Sequence, residues 1–310
     1  MMSKKISVVV PCFNEEEAIP LFYAETLKVL KTMGIASYEF VFVDDGSADK
    51  TADILRSLCE KDSCVHFVSF SRNFGKESAL YAGLEKASGD YVCVMDADLQ
   101  DPPSLLPKML VAIEDDGFDC AATRRATRKN EPVVRSFFAR LFYKIMGALS
   151  DVAVVDGARD FRLMTRAYKD AVLSLVERNR FTKGIFPWVG FKTKWFSYEN
   201  IERAAGKTKW SFWKLFLYSI DGIIGFSTKP LAFSAVAGIM SIFTSFVLIA
   251  FIAVRKLAFG DRVQGWASLV CFITFFAGLE LFCIGISGLY ISKIYTEVKH
   301  RPIYIVKEER

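Results

Sequence analysis

The sequence predicts an α/β domain with a mostly parallel sheet, followed by amphipathic helices suited to a membrane interface and a two-helix transmembrane hairpin. Three observations carry this reading. Short Val-rich runs ending in carboxylates alternate with helical segments in the earlier part of the chain, apolar residues crowd into the last third, and two long stretches there are nearly free of charge.

Ile6 to Val10 reads as a buried strand closed by Pro11. The acidic turn Glu15-Glu16-Glu17 then opens a helix running to about Met33, where acid at the helix start suits the dipole. Tyr38 to Val43 forms a second strand and ends in Asp44-Asp45-Gly46-Ser47. Val65 to Phe70 forms a third, leading through Ser71-Arg72-Asn73-Phe74-Gly75-Lys76 into a helix over Glu77 to Ala87. The fourth run, from Tyr91, delivers Asp96 and Asp98 to its tip just before Pro102-Pro103, where another helix can begin. Ligands of an open parallel sheet bind beyond the carboxyl ends of its strands, so acid at three of these four tips marks one site edge. The pair Asp96-Ala97-Asp98 supplies hard oxygen ligands for Mg²⁺ or Mn²⁺, which in turn holds a diphosphate. By itself such a pair is more often a solvated turn with a helix cap.

Composition narrows the class. A hydrophobic content of 52% with 28 Phe is high for a wholly soluble chain of 310 residues. The net charge of +5 is too mild to argue for nucleic acid, and no nucleic-acid motif is visible; it suits anionic lipid and phosphate-bearing substrates. The 7 cysteines lack paired spacing and read as reduced thiols of a cytosol-facing protein. Met1-Met2-Ser3-Lys4-Lys5 runs straight into the first strand, so the expectation is a catalytic part that stays in the cytoplasm. His66 and His300 offer no metal-ligand pair.

The segments Val9-Val10-Pro11-Cys12-Phe13-Asn14-Glu15, Val43-Asp44-Asp45-Gly46-Ser47 and Met95-Asp96-Ala97-Asp98-Leu99-Gln100-Asp101-Pro102 resemble the signature blocks of the inverting nucleotide-sugar glycosyltransferases of family 2, which have a GT-A fold. Asp160-Phe161-Arg162-Leu163-Met164, Glu177-Arg178-Asn179-Arg180-Phe181 and Arg203-Ala204-Ala205-Gly206-Lys207-Thr208-Lys209-Trp210 resemble its polyprenyl-phosphate branch, which includes bactoprenol glucosyltransferases and dolichol-phosphate mannose synthases. The resemblance runs in order along nearly the whole chain. It implies that Pro11, Phe13, Glu15, Val43 and Asp45 line a nucleoside pocket. It further implies that Asp96, Asp98 and Gln100 hold Mg²⁺ or Mn²⁺, with Ala97 against the donor. Arg124 would bind phosphate, and Arg203 and Lys209 would close over the donor diphosphate, as guanidinium forks and ammonium charges do. Without the resemblance, the block around Arg203 reads as a flexible basic linker.

Residues 133–149 predict a basic amphipathic helix. Phe138, Leu141, Phe142, Ile145 and Leu149 repeat at helical spacing beside Arg135, Arg140 and Lys144. Such a helix can lie in a membrane interface and present Arg135 and Arg140, with Arg124 and Arg128, to a lipid phosphate, or it can pack on the core with solvated charges. Many relatives have Ser where Ala139 stands, which leaves open the side chain that assists the acceptor. Residues 210–229 form a second amphipathic stretch. Two membrane spans follow at about 230–254 and 265–292, the second interrupted only by Glu280, for which a packing or oligomer contact through Ser241 or Thr244 is expected. A hairpin puts both its ends on one side, and the flanking Lys214, Lys229, Lys293, Lys299 and Arg301 outnumber Arg255, Lys256 and Arg262 in the loop.

The expected organisation is a cytoplasmic catalytic domain over 1–209, the interface helix over 210–229, and a membrane hairpin with a cytoplasmic tail over 230–310. The expected activity is transfer of one sugar, UDP-glucose being the leading donor and UDP-N-acetylglucosamine an alternative, to undecaprenyl phosphate. A processive polysaccharide synthase is disfavoured by the absence of a Q-x-x-R-W block and by only two spans. A non-catalytic scaffold is disfavoured by the intact acidic and basic blocks.

Overall fold

The computed structural model describes residues 4–126, 147, 155–199, 220–259 and 265–310. Its elements are β1 (Lys5–Cys12), α1 (Ala18–Thr32), β2 (Ser37–Asp44), α2 (Thr51–Lys61), β3 (Val65–Phe70), α3 (Lys76–Lys86), β4 (Tyr91–Val94), α4 (Leu106–Glu114), β5 (Cys120–Arg125), β6 (Ala158–Thr165), α5 (Arg166–Ser174), α6 (Thr182–Trp188), β7 (Thr193–Tyr198), α7 (Lys229–Phe259), α8 (Trp266–Val298) and β8 (Val306–Glu309). One eight-stranded sheet has the order β7-β5-β6-β4-β1-β2-β3-β8. The alternation of Val-rich strands and helices builds its parallel part, β4-β1-β2-β3. Helices cover both faces there. Ile6, Val8 and Val10 of β1 pack with Phe22 and Leu55 on one side, while Val9, Val41 and Val43 pack with Leu80 and Leu84 of α3 on the other. A Cβ at Gly83 would fall 2.3 Å from Val9 Cγ1, so only glycine lets α3 sit this close to the sheet.

Pro11 does not close the first strand. β1 continues to Cys12 beside β2, because β4 stops pairing at Val9 and leaves no partner strand for the missing N–H of Pro11 to disappoint. The sheet is also more mixed than alternation implies. β6 enters antiparallel between β4 and β5, and β7 returns parallel to β5. As a result the carboxyl ends of β1, β2, β3, β4, β5 and β7 share one edge, from which β6 starts in the opposite direction.

α7 and α8 contain 31 and 33 residues, so each exceeds the roughly 20 residues needed to span a bilayer. Their apolar side chains face outward: Phe243 and Phe246 are 64% and 67% exposed, as suits a lipid solvent rather than a protein core. The helices run antiparallel, with Tyr290 donating to Ser227 O (2.5 Å) and Cys283 lying 3.9 Å from Ser234 O. Glu280 is exposed, and the Ser241 and Thr244 hydroxyls donate to Ala237 and Met240 of their own helix, not to Glu280. Of the predicted stretch at 210–229, residues 220–225 are described and helical. The predicted helix over 133–149 lies outside the described residues, Gly147 apart.

The segment expected to be a tail ends in a strand. β8 pairs antiparallel with β3, so the chain returns from the hairpin to the same sheet it left. Tyr304 stacks on Phe70 at 4.8 Å and donates to Glu85 (2.7 Å), while Arg56 holds Glu308 with Nη2 at 2.9 Å. Just before it, Glu297 accepts from the backbone N–H groups of Arg178 (2.8 Å) and Asn179 (3.1 Å), and Lys293 bridges Asn179 and Asp221 (2.8 and 2.5 Å). Added ladder bonds and a covered edge make this return a fastening. A chain ending at Pro302 should therefore melt roughly 5–10 °C lower in detergent and lose amide protection across β3, both read by thermal scanning and hydrogen exchange.

Candidate active site

The acidic loops are fastened to one another by short polar bonds. Asn14 Oδ1 accepts from Ala48 N–H and the Asn14 N–H donates to Ser47 Oγ, both at 2.8 Å; the Glu15 N–H donates to Thr51 Oγ1 at 2.9 Å. Asp44 is structural: it accepts from Ser47 N–H (3.0 Å) and from the Ser69 hydroxyl (2.8 Å), tying the tip of β2 to β3. Asp45 accepts from the N–H groups of Phe74 (2.6 Å) and Gly75 (2.9 Å), which fixes the turn that starts α3. Gly46 is required in this loop, with φ 68° and a would-be Cβ 2.4 Å from the Arg72 carbonyl carbon. Asn14 (φ 53°) and Leu99 (φ 54°) adopt left-handed backbone at two of the acidic tips, a strain of about 1 kcal/mol or more that surrounding structure must hold.

Pro11, Phe13 and Glu15 are half-buried at the end of β1 and just beyond it, and Asp45 is buried at the neighbouring tip. Val43 is fully buried within the core, so its side chain backs this edge rather than opening onto it. Asp96 and Asp98 flank the buried Ala97, and Asp98 Oδ1 accepts from Gln100 N–H at 3.1 Å. The register of β4 with β6 ends with Val94 beside Arg162, and just beyond it one ammonium reaches both Asp96 and Asp160. Lys76, the first residue of α3, reaches between them. Its Nζ lies 2.7 Å from Asp96 Oδ1, 2.8 Å from Asp96 Oδ2 and 2.5 Å from Asp160 Oδ2. Burial works against the ionised Asp160, yet the charges of Lys76 and Lys183 hold its carboxyl well below the usual range.

A second cluster secures the loop after Asp98. Arg159 Nε lies 3.1 Å from Asp101 Oδ1 and donates to Tyr198 Oη at 3.1 Å, its Nη2 donates to Gln100 Oε1 at 3.2 Å, and the Tyr198 hydroxyl donates to Asp101. Burial pushes Asp101 up to about 6 despite Arg159. Arg124 emerges at the same edge from the end of β5 and donates to Ser197 Oγ at 2.9 Å. Arg128, Arg135, Arg140, Arg203 and Lys209 lie outside the described residues.

A family model described as glycosyl transferase family 2 matches residues 7–172. The bactoprenol glucosyl transferase of Shigella phage SfV is 42% identical over 99% of this chain and 99% of its own length. The chain belongs to glycosyl transferase family 2. The putative glycosyltransferase CsbB of Bacillus subtilis, at 40% identity, matches 98% of this chain and 91% of its own. Among solved structures, a glucosyl-3-phosphoglycerate synthase from Mycobacterium tuberculosis in complex with Mn²⁺, UDP-glucose and phosphoglyceric acid aligns with a TM-score of 0.43 and 20% identity, covering 71% of this chain and 78% of that one. The protein is thus a glycosyltransferase, and its mixed α/β sheet is of the GT-A type.

Within this family 2 site, sequence reasoning did not single out Lys76, Arg159 or Tyr198, and noted Asp160 only within a block. A weak signal for Lys76 was present: it ends the strand-to-helix loop after β3, on the edge where the loops after β2 and β4 carry Asp45 and Asp96. Arg159 and Tyr198 had no such signal, since neither stands in an acidic tip loop.

Burial raises the Asp45 carboxyl from 3.8 to about 6, against the opposing hydrogen bonds from Phe74 and Gly75. A carboxyl whose folded pKa exceeds its unfolded one takes up a proton on folding. Its contribution favours the fold most below about pH 4 and declines as pH rises toward 6. Asp45→Asn should flatten that decline relative to the wild type, a difference that thermal melts at pH 4, 5 and 6 would read.

Proposed function

We propose that this glycosyltransferase moves a single sugar from a nucleotide-sugar, UDP-glucose before UDP-N-acetylglucosamine, to undecaprenyl phosphate at the cytoplasmic membrane face, with inversion. The observation that carries the reading is the match at 42% identity along the whole chain, hairpin included, to a relative named for glucosyl transfer to bactoprenol. It is supported by an acidic sheet edge fastened, through β8 and the end of α8, to two lipid-suited helices.

The donor set at the tip of β4 consists of two carboxylates and an amide oxygen, all hard ligands. Among the described residues no third acidic, His or Cys side chain joins them in a metal cluster. That suits a cation completed by the donor's own phosphates, as Mg²⁺ and Mn²⁺ commonly are. Asp96, Asp98 and Gln100 would hold it, and when bound it supplies charge neutralisation at the departing diphosphate. The chain's own groups do the rest. Asp45, Glu15 and Phe13 hold the nucleoside, Arg203 and Lys209 draw in the diphosphate, and Arg124, Arg128, Arg135 and Arg140 present the lipid phosphate. That phosphate is already ionised at neutral pH, so its oxygen attacks the anomeric carbon without a strong general base, and positioning dominates the rate.

Purified protein in lipid, offered a panel of nucleotide-sugars with undecaprenyl phosphate, should make lipid-linked sugar with UDP-glucose preferred; preference for another donor would reassign the sugar alone. Asp98→Asn should lower turnover by roughly 10²-fold or more while the fold survives, and excess EDTA should do likewise to the wild type. Full activity in EDTA would remove the metal from the proposal. Since both donor and product carry the sugar on a phosphate, isolated product given UDP should regenerate UDP-sugar at a measurable rate. Fast forward transfer with no reverse reaction at saturating UDP would favour a hydroxyl acceptor and the polysaccharide-synthase reading.

A further inference from the structure

Lys76 stands where a cation is least expected. It is the first residue of α3, where the helix dipole already places positive charge, and no local helix rule favours an ammonium there. The tertiary structure compensates it: its Nζ lies 2.7 and 2.8 Å from the two oxygens of Asp96 and 2.5 Å from Asp160. Its backbone is fixed, because Gly75 takes φ 99° and the Phe74 and Gly75 N–H groups are held by Asp45. Only the flexible four-carbon stem can move.

A divalent cation bonds carboxylate oxygen at about 2.1 Å, and an ammonium hydrogen-bonded to both oxygens of Asp96 repels a second cation there and takes up lone pairs the metal would use. The two cations therefore compete for one carboxylate. Asp160 gives Lys76 a second anchor on β6, so it need leave only Asp96 to make way. Its charge then faces the same space as the phosphates that complete the metal's coordination.

We propose that Lys76 is a tethered competitor for Asp96 which couples metal binding to nucleotide binding: it opposes a divalent cation on its own, and it yields Asp96 when a nucleoside diphosphate supplies its ammonium with a new anionic partner. The inference rests on the assignment of Asp96 and Asp98 as metal ligands. Its consequence is ordered selectivity, since the site takes the cation together with the donor rather than before it. Lys76 acts on the metal through Asp96, and on the donor through the diphosphate.

The test is Mn²⁺ binding to the full-length protein in detergent, read by the electron paramagnetic resonance of free Mn²⁺ with and without UDP. In the wild type UDP should tighten Mn²⁺ strongly. In Lys76→Met, which removes the like-charge repulsion, Mn²⁺ without UDP should bind roughly tenfold tighter than in the wild type, and the tightening by UDP should shrink by a similar factor. Lys76→Arg, which keeps the charge, should stay with the wild type. If Lys76→Met melts well below the wild type, Lys76→Gln carries the same expectation with a polar side chain of similar reach. Unchanged or weaker Mn²⁺ binding without UDP in a folded neutral variant overturns the role of Lys76 and leaves the metal assignment standing. Failure of the wild type to bind Mn²⁺ even with UDP overturns both.

Discussion

Like charges gathered at one edge of a sheet repel, and the way each carboxylate is compensated organises this molecule. Asp44 and Asp45 are neutralised by local donors, a serine hydroxyl and backbone N–H groups, and so become the fasteners of their own loops. Asp101 is buried with Arg159 and Tyr198 and pins the loop that follows Asp98. Asp96 and Asp160 are served by the ammonium of Lys76, on a four-carbon stem, instead of a fixed dipole. The edge thus divides into acids held by fixed local donors and acids paired with one flexible ammonium.

The antiparallel insertion of β6 is what makes this possible. A purely parallel continuation would have sent residue 160 toward the opposite edge, far from the tip of β4. Running in reverse, β6 carries Arg159 and Asp160 to the acidic tips and lets one strand contribute to both clusters. β5 and β7, parallel to β4 on the far side of it, bring Arg124 and Tyr198 to the same place.

The second antiparallel strand, β8, performs a different task. A hairpin of two lipid-suited helices joined to a domain by one connection would leave that domain free to turn. Here the chain both leaves for the hairpin and returns from it, and the return is welded to the edge of the sheet by ladder bonds, by Tyr304 on Phe70 and by Arg56 on Glu308. Glu297 and Lys293 add a second set of contacts at the end of α8. For the transfer proposed above, such a fixed bearing would matter, because positioning supplies much of the rate.

The amino-acid sequence by itself determined the alternation of strand and helix, the three acidic tips, the two long apolar helices and the family, all of which rest on local composition and short spacing. It did not determine where strands that are distant in the chain would lie. Lys76 meets Asp96 across 20 residues and Asp160 across 84, and Arg56 meets Glu308 across 252. Each of these contacts follows from sheet order and strand direction. The same cause explains the smaller departures: Pro11 stays in its strand because a neighbour ends early, and the last residues pair because β3 offers an open edge. Periodicity reports which face of an element is apolar, whereas only the assembled sheet decides which charged side chains share a few ångströms of its edge.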